Sequence, residues 1–117
     1  MTKSNIPSVV TMIGSTQTGK QVIADSSSSI KKLSMELGGN APFIVFEDAD
    51  MKTALDLAIG VKFGNCGQIC VAANRFFVHE NIYDDFLTSY VHRVKKLKLG
   101  FGIDRDCLLY TSDAADE

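Results

Sequence analysis

Short apolar runs that favour strands alternate along the chain with segments in which apolar residues recur at helical spacing. The runs at residues 9–13, 31–36, 43–46 and 75–79 predict four β-strands. An alternation of this kind is typical of an α/β fold. With so few strands, several would be sheet edges with unpaired backbone groups, which predicts that further strands on the N-terminal side complete the sheet.

Three segments have the periodicity of helices. The first ends in a serine run at residues 26–29, which we interpret as a helix end or loop rather than a phosphorylation tract. The second can be capped by Asp48 or Asp50, and the third is predicted to begin after Asn81 as its cap. The apolar positions of the three helices are Val22, Ile23 and Ile30, then Met51, Ala54, Leu55, Ala58, Ile59 and Phe63, and finally Ile82, Phe86, Leu87, Tyr90, Val91, Val94 and Leu97.

Composition limits the class of protein. The chain has 117 residues, 45% of them hydrophobic, and a formal net charge of −2. These values suit one ordinary core and give no electrostatic reason to expect a nucleic-acid partner. The basic residues near the end of the third helix fit a solvated helix terminus better than a nucleic-acid patch. They are Arg93, Lys95, Lys96 and Lys98.

The chain has no apolar stretch of membrane-spanning length, and its first residues lack the apolar core of a secretion signal. We therefore expect a cytoplasmic protein without a membrane partner. Its three cysteines are expected to stay reduced in that compartment.

The first candidate site is Gly14-Ser-Thr-Gln-Thr-Gly-Lys20, which follows a predicted strand and opens a helix. Backbone amides at such a helix start can hold an anion. The spacing matches the glycine and lysine positions of a P-loop, but Gln21 stands where a nucleoside triphosphatase needs Ser or Thr for magnesium. A tight turn with a Ser or Thr cap remains an alternative.

The second candidate site is Glu36, in Glu36-Leu-Gly-Gly-Asn-Ala-Pro42. A glutamate after a strand is usually a solvated surface group. Here two glycines allow the backbone to approach a ligand closely, and a partly buried carboxylate in such a place can take a proton from water.

The third candidate site is Cys70, in Asn65-Cys-Gly-Gln-Ile-Cys70. Glycine and polar residues can expose a thiol and surround it with N–H donors, which favours a nucleophile over a buried inert cysteine. Cys66 is interpreted as a small loop residue or, alternatively, as a redox neighbour of Cys70. Because Cys107, His79 and His92 are not at ligand spacing, we expect no metal site.

These motifs resemble the NAD(P)-dependent aldehyde dehydrogenases, in particular the succinate-semialdehyde and lactaldehyde branch. The three motifs occur in that family's order, and Glu36 and Cys70 have its habitual separation, 70 − 36 = 34 positions. The resemblance covers most of residues 6–104. It implies an internal fragment of such an enzyme, which in its complete form would be a homo-oligomer with NAD or NADP as cofactor and an aldehyde as substrate.

The resemblance also implies roles for individual residues. Cys70 would attack the aldehyde to form a thiohemiacetal and then a thioester, and Glu36 would activate the water that hydrolyses the thioester. The oxyanion would be held by the Cys70 backbone N–H and by an asparagine that family members carry upstream. The implied cofactor contacts are Gly14 and Ser15 near the pyrophosphate, and Glu36, Leu37 and Gly38 near the nicotinamide.

The resemblance predicts three segments: the end of a Rossmann-like cofactor domain at residues 1–36, the beginning of a catalytic domain at residues 37–106, and a non-native tail at residues 107–117. The tail resembles the translation of a sequencing-library adapter. Gly64 stands where succinate-semialdehyde enzymes tend to carry an arginine for the substrate carboxylate, which argues against a dicarboxylic semialdehyde. A catalytically inactive, oligomer-associating fragment and a P-loop-like nucleotide binder remain alternative functions.

Overall fold

The structure is a computed structural model that describes residues 1–103 and the backbone of residues 109 and 110. It confirms the predicted α/β class, because two pairs of parallel strands are each connected by a helix. The strands are β1 (Val9–Gly14), β2 (Lys32–Leu37), β3 (Ala41–Val45), β4 (Ala73–Val78), β5 (Leu99–Gly100) and β6 (Leu109–Tyr110), and the helices are α1 (Thr16–Ser26), α2 (Met51–Phe63) and α3 (Tyr83–Val94).

The chain divides into two compact units, Met1–Gly39 and Asn40–Glu117. The assignment of residues 1–36 and 37–106 to a cofactor domain and a catalytic domain stays a prediction. The predicted non-native tail at residues 107–117 lies outside the described residues, apart from the backbone pairing of β6 with β5.

The first unit is a parallel β1–α1–β2 crossover. β1 and β2 pair in register from Val9 opposite Lys32 to Gly14 opposite Leu37. Gly19 of α1 is buried against β2, and a Cβ built at Gly19 would lie 2.9 Å from Leu37 Cδ2. The missing side chain therefore lets the helix pack closely on the strand.

Helix α1 ends at Ser26, within the serine run, as predicted. The Ser27 backbone N–H donates to the Ala24 carbonyl at 3.2 Å, and the Ser27 hydroxyl donates to the same oxygen at 2.7 Å. These bonds satisfy a carbonyl at the helix end, where no later turn supplies a donor. Ile30 lies beyond the helix and is fully exposed, so the prediction that it belongs to the helical face was wrong.

The second unit begins with a β3–α2–β4 crossover, also parallel, in which the register shifts between Ala41 and Pro42. One face of the β3–β4 pair packs against α2 and α3. The buried core residues are Val45, Ala54, Leu55, Ala58 and Phe86, with Phe43, Met51, Phe76, Val78, Ile82 and Tyr90 packed against them. Because side chains alternate across a strand, Ile44, Phe46 and Phe77 form the opposite face, where each is more than half exposed.

Aromatic rings join the sheet to α3. The ring centroids of Phe43 and Phe76 are 5.4 Å apart, those of Phe76 and Tyr90 are 5.3 Å apart, and Phe86 stacks on Tyr90 at 5.8 Å. These distances are within the favourable range for aromatic pairs. Burial among these groups raises the pKa of Tyr90.

Polar contacts cap the start of α2 and join α2 to α3. Asp50 caps α2 by accepting the Thr53 backbone N–H at 2.8 Å, which confirms one of the two predicted caps. Arg93 of α3 binds Asp56 of α2, and this hydrogen bond lowers the pKa of Asp56. The other basic residues of the group, Lys95, Lys96 and Lys98, are exposed, as predicted.

Asn81 does not cap α3, so this prediction was wrong. A short 3₁₀ turn at Glu80–Ile82 precedes the helix, and Ile82 occupies the cap position without a side-chain cap hydrogen bond. The Asn81 amide instead donates to Glu47 Oε2 at 2.6 Å. Its side chain is thus engaged in a contact with another segment of the chain. The helix also ends at Val94, before Leu97.

Within the described part of the chain, the strands form three separate two-stranded parallel sheets. Each strand therefore has an unpaired edge, as the sequence predicted. No helix in this part is long and apolar enough to cross a membrane. The β5–β6 pair was not predicted, because Gly100 favours a turn after α3.

The aromatic core should control the stability of the second unit. We expect Phe86→Ala to lower the free energy of unfolding of the chain by about 3–5 kcal/mol, because Phe86 is 4% exposed. The control Leu87→Ala changes the next residue of the same helix, which is 43% exposed, and should cost about 1 kcal/mol or less. Urea unfolding followed by circular dichroism measures both; equal losses would contradict this packing.

The Asp50 cap should make stability depend on pH. Hydrogen bonds from the Thr53 side chain, and then from its backbone N–H, lower the pKa of Asp50. The stabilisation is therefore present above the pKa of the unfolded chain and is lost as pH falls through the lower folded pKa. Asp50→Asn keeps an acceptor that does not titrate. The stability advantage of the wild type over Asp50→Asn should shrink between about pH 5 and pH 2 in urea titrations. An advantage that stays constant over this range would refute the charged cap.

Candidate active site

The predicted cofactor contacts of the first unit lie at the carboxyl-terminal end of the β1–β2 pair. Gly14 is opposite Leu37 in the register, and Glu36 is opposite Ile13, at the carboxyl ends of the two strands. Gly38 follows directly. Ligands of open α/β sheets bind at the carboxyl ends of parallel strands, so the arrangement suits a nucleotide.

Ser15 follows β1 directly, so α1 starts at the same carboxyl-terminal end of the strand pair. Its hydroxyl oxygen accepts the Thr18 backbone N–H at 3.1 Å, and its carbonyl accepts the first intrahelical bond, from Gly19, at 2.9 Å. The N–H groups of Thr16 and Gln17 precede that first bond. They point out of the helix start, where the helix dipole favours an anion.

Gln21, the residue that departs from the P-loop pattern, makes its side-chain contact within α1. The Gln21 side chain donates to Asp25 Oδ1 at 2.8 Å, one turn further along α1. It therefore points along the helix and away from the glycine loop. This contact adds a structural reason to disfavour a magnesium-dependent triphosphate site.

Glu36 is exposed in the first unit. A Cβ built at Gly38 would meet nothing within 4 Å, so the packing of this chain leaves open space beside the backbone after Glu36. A ligand can therefore approach the Glu36 carboxylate through the space beside Gly38. Its role as a base stays a prediction.

The cysteine loop runs from the end of α2 to the start of β4. Three successive residues have left-handed backbone angles: Asn65 at φ 49°, Cys66 at φ 57° and Gly67 at φ 78°. For the two non-glycine residues this conformation costs about 1–3 kcal/mol each. The Gln68 N–H donates to the Asn65 carbonyl at 3.0 Å, and Asn65 Nδ2 donates to the Gln68 carbonyl at 3.2 Å. Asn65 therefore holds the turn by both its backbone and its side chain.

The loop presents Cys70 to solvent. Cys70 is exposed, whereas Cys66 is half-buried, and both carry thiols. The turn that contains Cys70 is closed by the Ala72 N–H, which donates to the Ile69 carbonyl at 2.9 Å. Ala72 and Ala73 are buried and anchor the end of the loop. Glu36 and Cys70 belong to different units, so their convergence on one substrate stays a prediction.

Three side chains around the loop were given no role by the sequence. Lys62 Nζ in the last turn of α2 donates to Asn74 Oδ1 in β4 at 2.8 Å. Arg75 Nε donates to the Asn40 carbonyl at 3.1 Å, and its guanidinium lies 5.8 Å from the Phe77 ring centroid. The only sequence signal was that polar residues flank both ends of the loop. No group of three or more His, Cys, Asp or Glu that could hold a metal ion occurs among the residues that the structure describes.

Comparison with known proteins decides the family. The sequence profile of the Aldehyde dehydrogenase family matches residues 1–111. The chain belongs to this family. A relative named succinate-semialdehyde dehydrogenase [NADP(+)] 1, from Schizosaccharomyces pombe, is 55% identical over 95 residues, which are 81% of this chain and 19% of the relative.

Solved structures of the aldehyde dehydrogenase family have the same fold. Succinate-semialdehyde dehydrogenase from Burkholderia pseudomallei superposes with a TM-score of 0.88 at 47% identity over 92% of this chain and 22% of its own. Betaine aldehyde dehydrogenase from Staphylococcus aureus, in complex with NAD+, gives 0.84 at 36% identity over 88% of this chain and 20% of its own. The chain spans about a fifth of the length of the curated relatives that it matches.

Exposure predicts different reactivities for the two loop cysteines. We expect iodoacetamide at neutral pH to modify Cys70 at least about tenfold faster than Cys66, because Cys70 is exposed and Cys66 is half-buried. Peptide mass spectrometry after timed quenching measures both rates in one sample. The same chain in urea is the control, in which the two rates should converge. Equal rates in the folded chain would contradict the difference in exposure between Cys70 and Cys66.

Proposed function

We propose that the complete protein carrying this chain oxidises an aldehyde to a carboxylic acid with NAD+ or NADP+, using Cys70 as nucleophile and Glu36 as general base. The observation that carries the proposal is the exposed thiol of Cys70 on a strained loop, in a chain matched to the aldehyde dehydrogenase family over residues 1–111. Residues with a strained backbone occur preferentially at functional sites, and they persist there because the surrounding fold holds them.

The residues of the first unit fit a dinucleotide. The start of α1 offers the amides of Thr16 and Gln17 to a pyrophosphate, and Gly14 and Ser15 lead the chain into it. The nicotinamide would contact Glu36, Leu37 and Gly38, which lie at the same carboxyl-terminal end of the strand pair. When bound, NAD+ or NADP+ accepts the hydride of the aldehyde. The S. pombe relative is named for NADP(+) and the S. aureus structure contains NAD+, so both cofactors occur among the relatives.

In the first stage, the Cys70 thiolate attacks the carbonyl carbon and forms a thiohemiacetal. The Cys70 backbone N–H would donate to the developing oxyanion, as N–H donors do in other acyl-transfer sites. Loss of hydride converts this adduct to a thioester on Cys70. The chain's task in this stage is to expose the sulfur and hold it in one position.

In the second stage, Glu36 takes a proton from water as the water attacks the thioester. The products are the carboxylic acid and the regenerated thiol. The aldehyde and water are thus converted to acid, with two electrons and one proton leaving as hydride and one proton released.

The substrate is proposed only as an aldehyde. The S. pombe and B. pseudomallei relatives are named for succinate semialdehyde. Gly64 in this chain, however, supplies no side chain at the first position of the cysteine loop to hold a second carboxylate. A cytoplasmic location and a homo-oligomeric complete protein are further proposals. An inactive, oligomer-associating fragment is the competing function.

The test is to substitute the two groups in the complete protein. We expect Cys70→Ser to lower kcat by about 10³-fold or more, because serine is a far weaker nucleophile without an activating base. Glu36→Gln should lower steady-state turnover by about 10²-fold or more but leave a rapid burst of reduced cofactor, because only thioester hydrolysis needs the base. Stopped-flow absorbance with aldehydes that have and lack a second carboxylate measures both phases.

The matched control is Cys66→Ser, which removes the neighbouring thiol and should keep kcat within about threefold of wild type. Normal turnover of Cys70→Ser would reject the nucleophile. A Glu36→Gln variant that loses the burst as well would reject the assignment of Glu36 to hydrolysis. Absence of turnover in the wild-type complete protein with every aldehyde would favour the inactive fragment.

A further inference from the structure

The ends of the cysteine loop are joined by one side-chain contact. Lys62 lies in the last turn of α2, and Asn74 is the second residue of β4. Their hydrogen bond, Lys62 Nζ to Asn74 Oδ1 at 2.8 Å, joins residues 12 positions apart, and the whole segment that carries Cys66 and Cys70 lies between them.

Lys62 touches the loop at a second point. A Cβ built at Gly67 would lie 3.0 Å from the Lys62 carbonyl oxygen, so the left-handed turn folds back against the Lys62 backbone. Gly67 also has a positive φ of 78°, which disfavours any other residue there. The Lys62 carbonyl thus lies beside the strained turn, while the Lys62 ammonium group reaches across to β4.

A strained backbone persists only where its surroundings hold it. Asn65 and Cys66 are non-glycine residues in the left-handed region, and the local bonds between Asn65 and Gln68 close the first half of the loop. The second half contains Cys70 in the turn that the Ala72 N–H closes on the Ile69 carbonyl, and it leads into β4. A contact between α2 and β4 therefore limits how far the two ends of the loop can separate.

We propose that the Lys62–Asn74 hydrogen bond is a clasp that closes the cysteine loop and positions Cys70 for attack on the aldehyde. The inference rests on the proposed function, because it assigns a purpose to the position of the thiol. Lys62 and Asn74 are positioning residues that act through the backbone of the loop. A displacement of about 1 Å at a reacting group can lower a rate by about 10²-fold, so a bond at the edge of the loop can affect turnover strongly.

The contact is suited to this task because it does not belong to the core. Lys62 is half-buried and Asn74 is exposed, whereas Ala72 and Ala73 carry the buried packing at the end of the loop. Loss of the clasp should therefore change the loop without unfolding the unit. A hydrogen bond with a charged donor is also stronger and shorter than one between neutral groups.

The same helix provides a matched control. Lys52 pairs with Asp56 at 3.5 Å, four residues further along the exposed side of α2. This contact stays within one helix and spans no loop. Substitution of Lys52 removes the same charge from α2 as substitution of Lys62 but leaves the clasp intact.

The experiment measures the rapid burst of reduced cofactor, kcat and KM for variants of the complete protein. We expect Lys62→Met and Asn74→Ala each to lower the burst rate constant and kcat about tenfold, with KM for the aldehyde and the cofactor within about twofold of wild type. The double variant should be no slower than either single variant, because both remove the same bond. Lys62→Arg should recover most of the loss, and Lys52→Met should match wild type.

Tm measurements separate positioning from folding. If Lys62→Met lowers kcat only in proportion to a fall in Tm, or if Lys62→Arg does not recover activity, the clasp is rejected. Multiplicative losses in the double variant would also reject it, because independent effects combine in that way. Should Cys70→Ser retain normal turnover, the proposed function itself fails. Should Cys70→Ser abolish turnover while Lys62→Met equals Lys52→Met, only the clasp fails.

Discussion

Parallel pairing of strands is the constraint from which the arrangement of the chain follows. Two parallel neighbours cannot be joined by a tight turn, so the chain must return along the sheet in a longer crossover, which is usually a helix. This requirement places α1 between β1 and β2, and α2 between β3 and β4. It also determines where loops can lie: the start of α1 meets the carboxyl end of β1, and the end of α2 meets the amino end of β4. The start of α1, where the cofactor pyrophosphate is proposed to bind, and the cysteine loop are those two junctions.

The two junctions solve different physical problems. At the first, a regular helix start has Ser15 as its cap, and the Thr16 and Gln17 N–H groups point out of the helix. At the second, the chain leaves α2, exposes the thiol of Cys70 and enters β4 through residues 64–72. Left-handed residues turn the chain there, and buried Ala72 and Ala73 hold its exit. Strain in the loop is thus balanced by packing beside it.

Local signals predicted the elements of the fold well. All four strands predicted from apolar runs occur within two residues of their expected bounds, and Asp50 caps α2 because a cap needs only the next three residues. Long-range contacts were not predictable in this way. Asn81 has a side chain that could cap a helix, but its amide donates to Glu47, 34 positions earlier, and does not cap α3. The Lys62–Asn74 bond escaped prediction for the same reason. The candidate residues were recognisable by type and motif, whereas their exposure and their supporting contacts depend on residues that are distant in the sequence.

The face of the β3–β4 pair opposite the core has a consequence for handling the protein. Ile44, Phe46 and Phe77 are 59%, 66% and 52% exposed, beside strands with open edges. Contiguous apolar side chains next to unpaired backbone groups favour self-association. Sedimentation of the purified chain as large particles would therefore report on this uncovered surface, and would not by itself show that the aromatic core on the other side is badly packed.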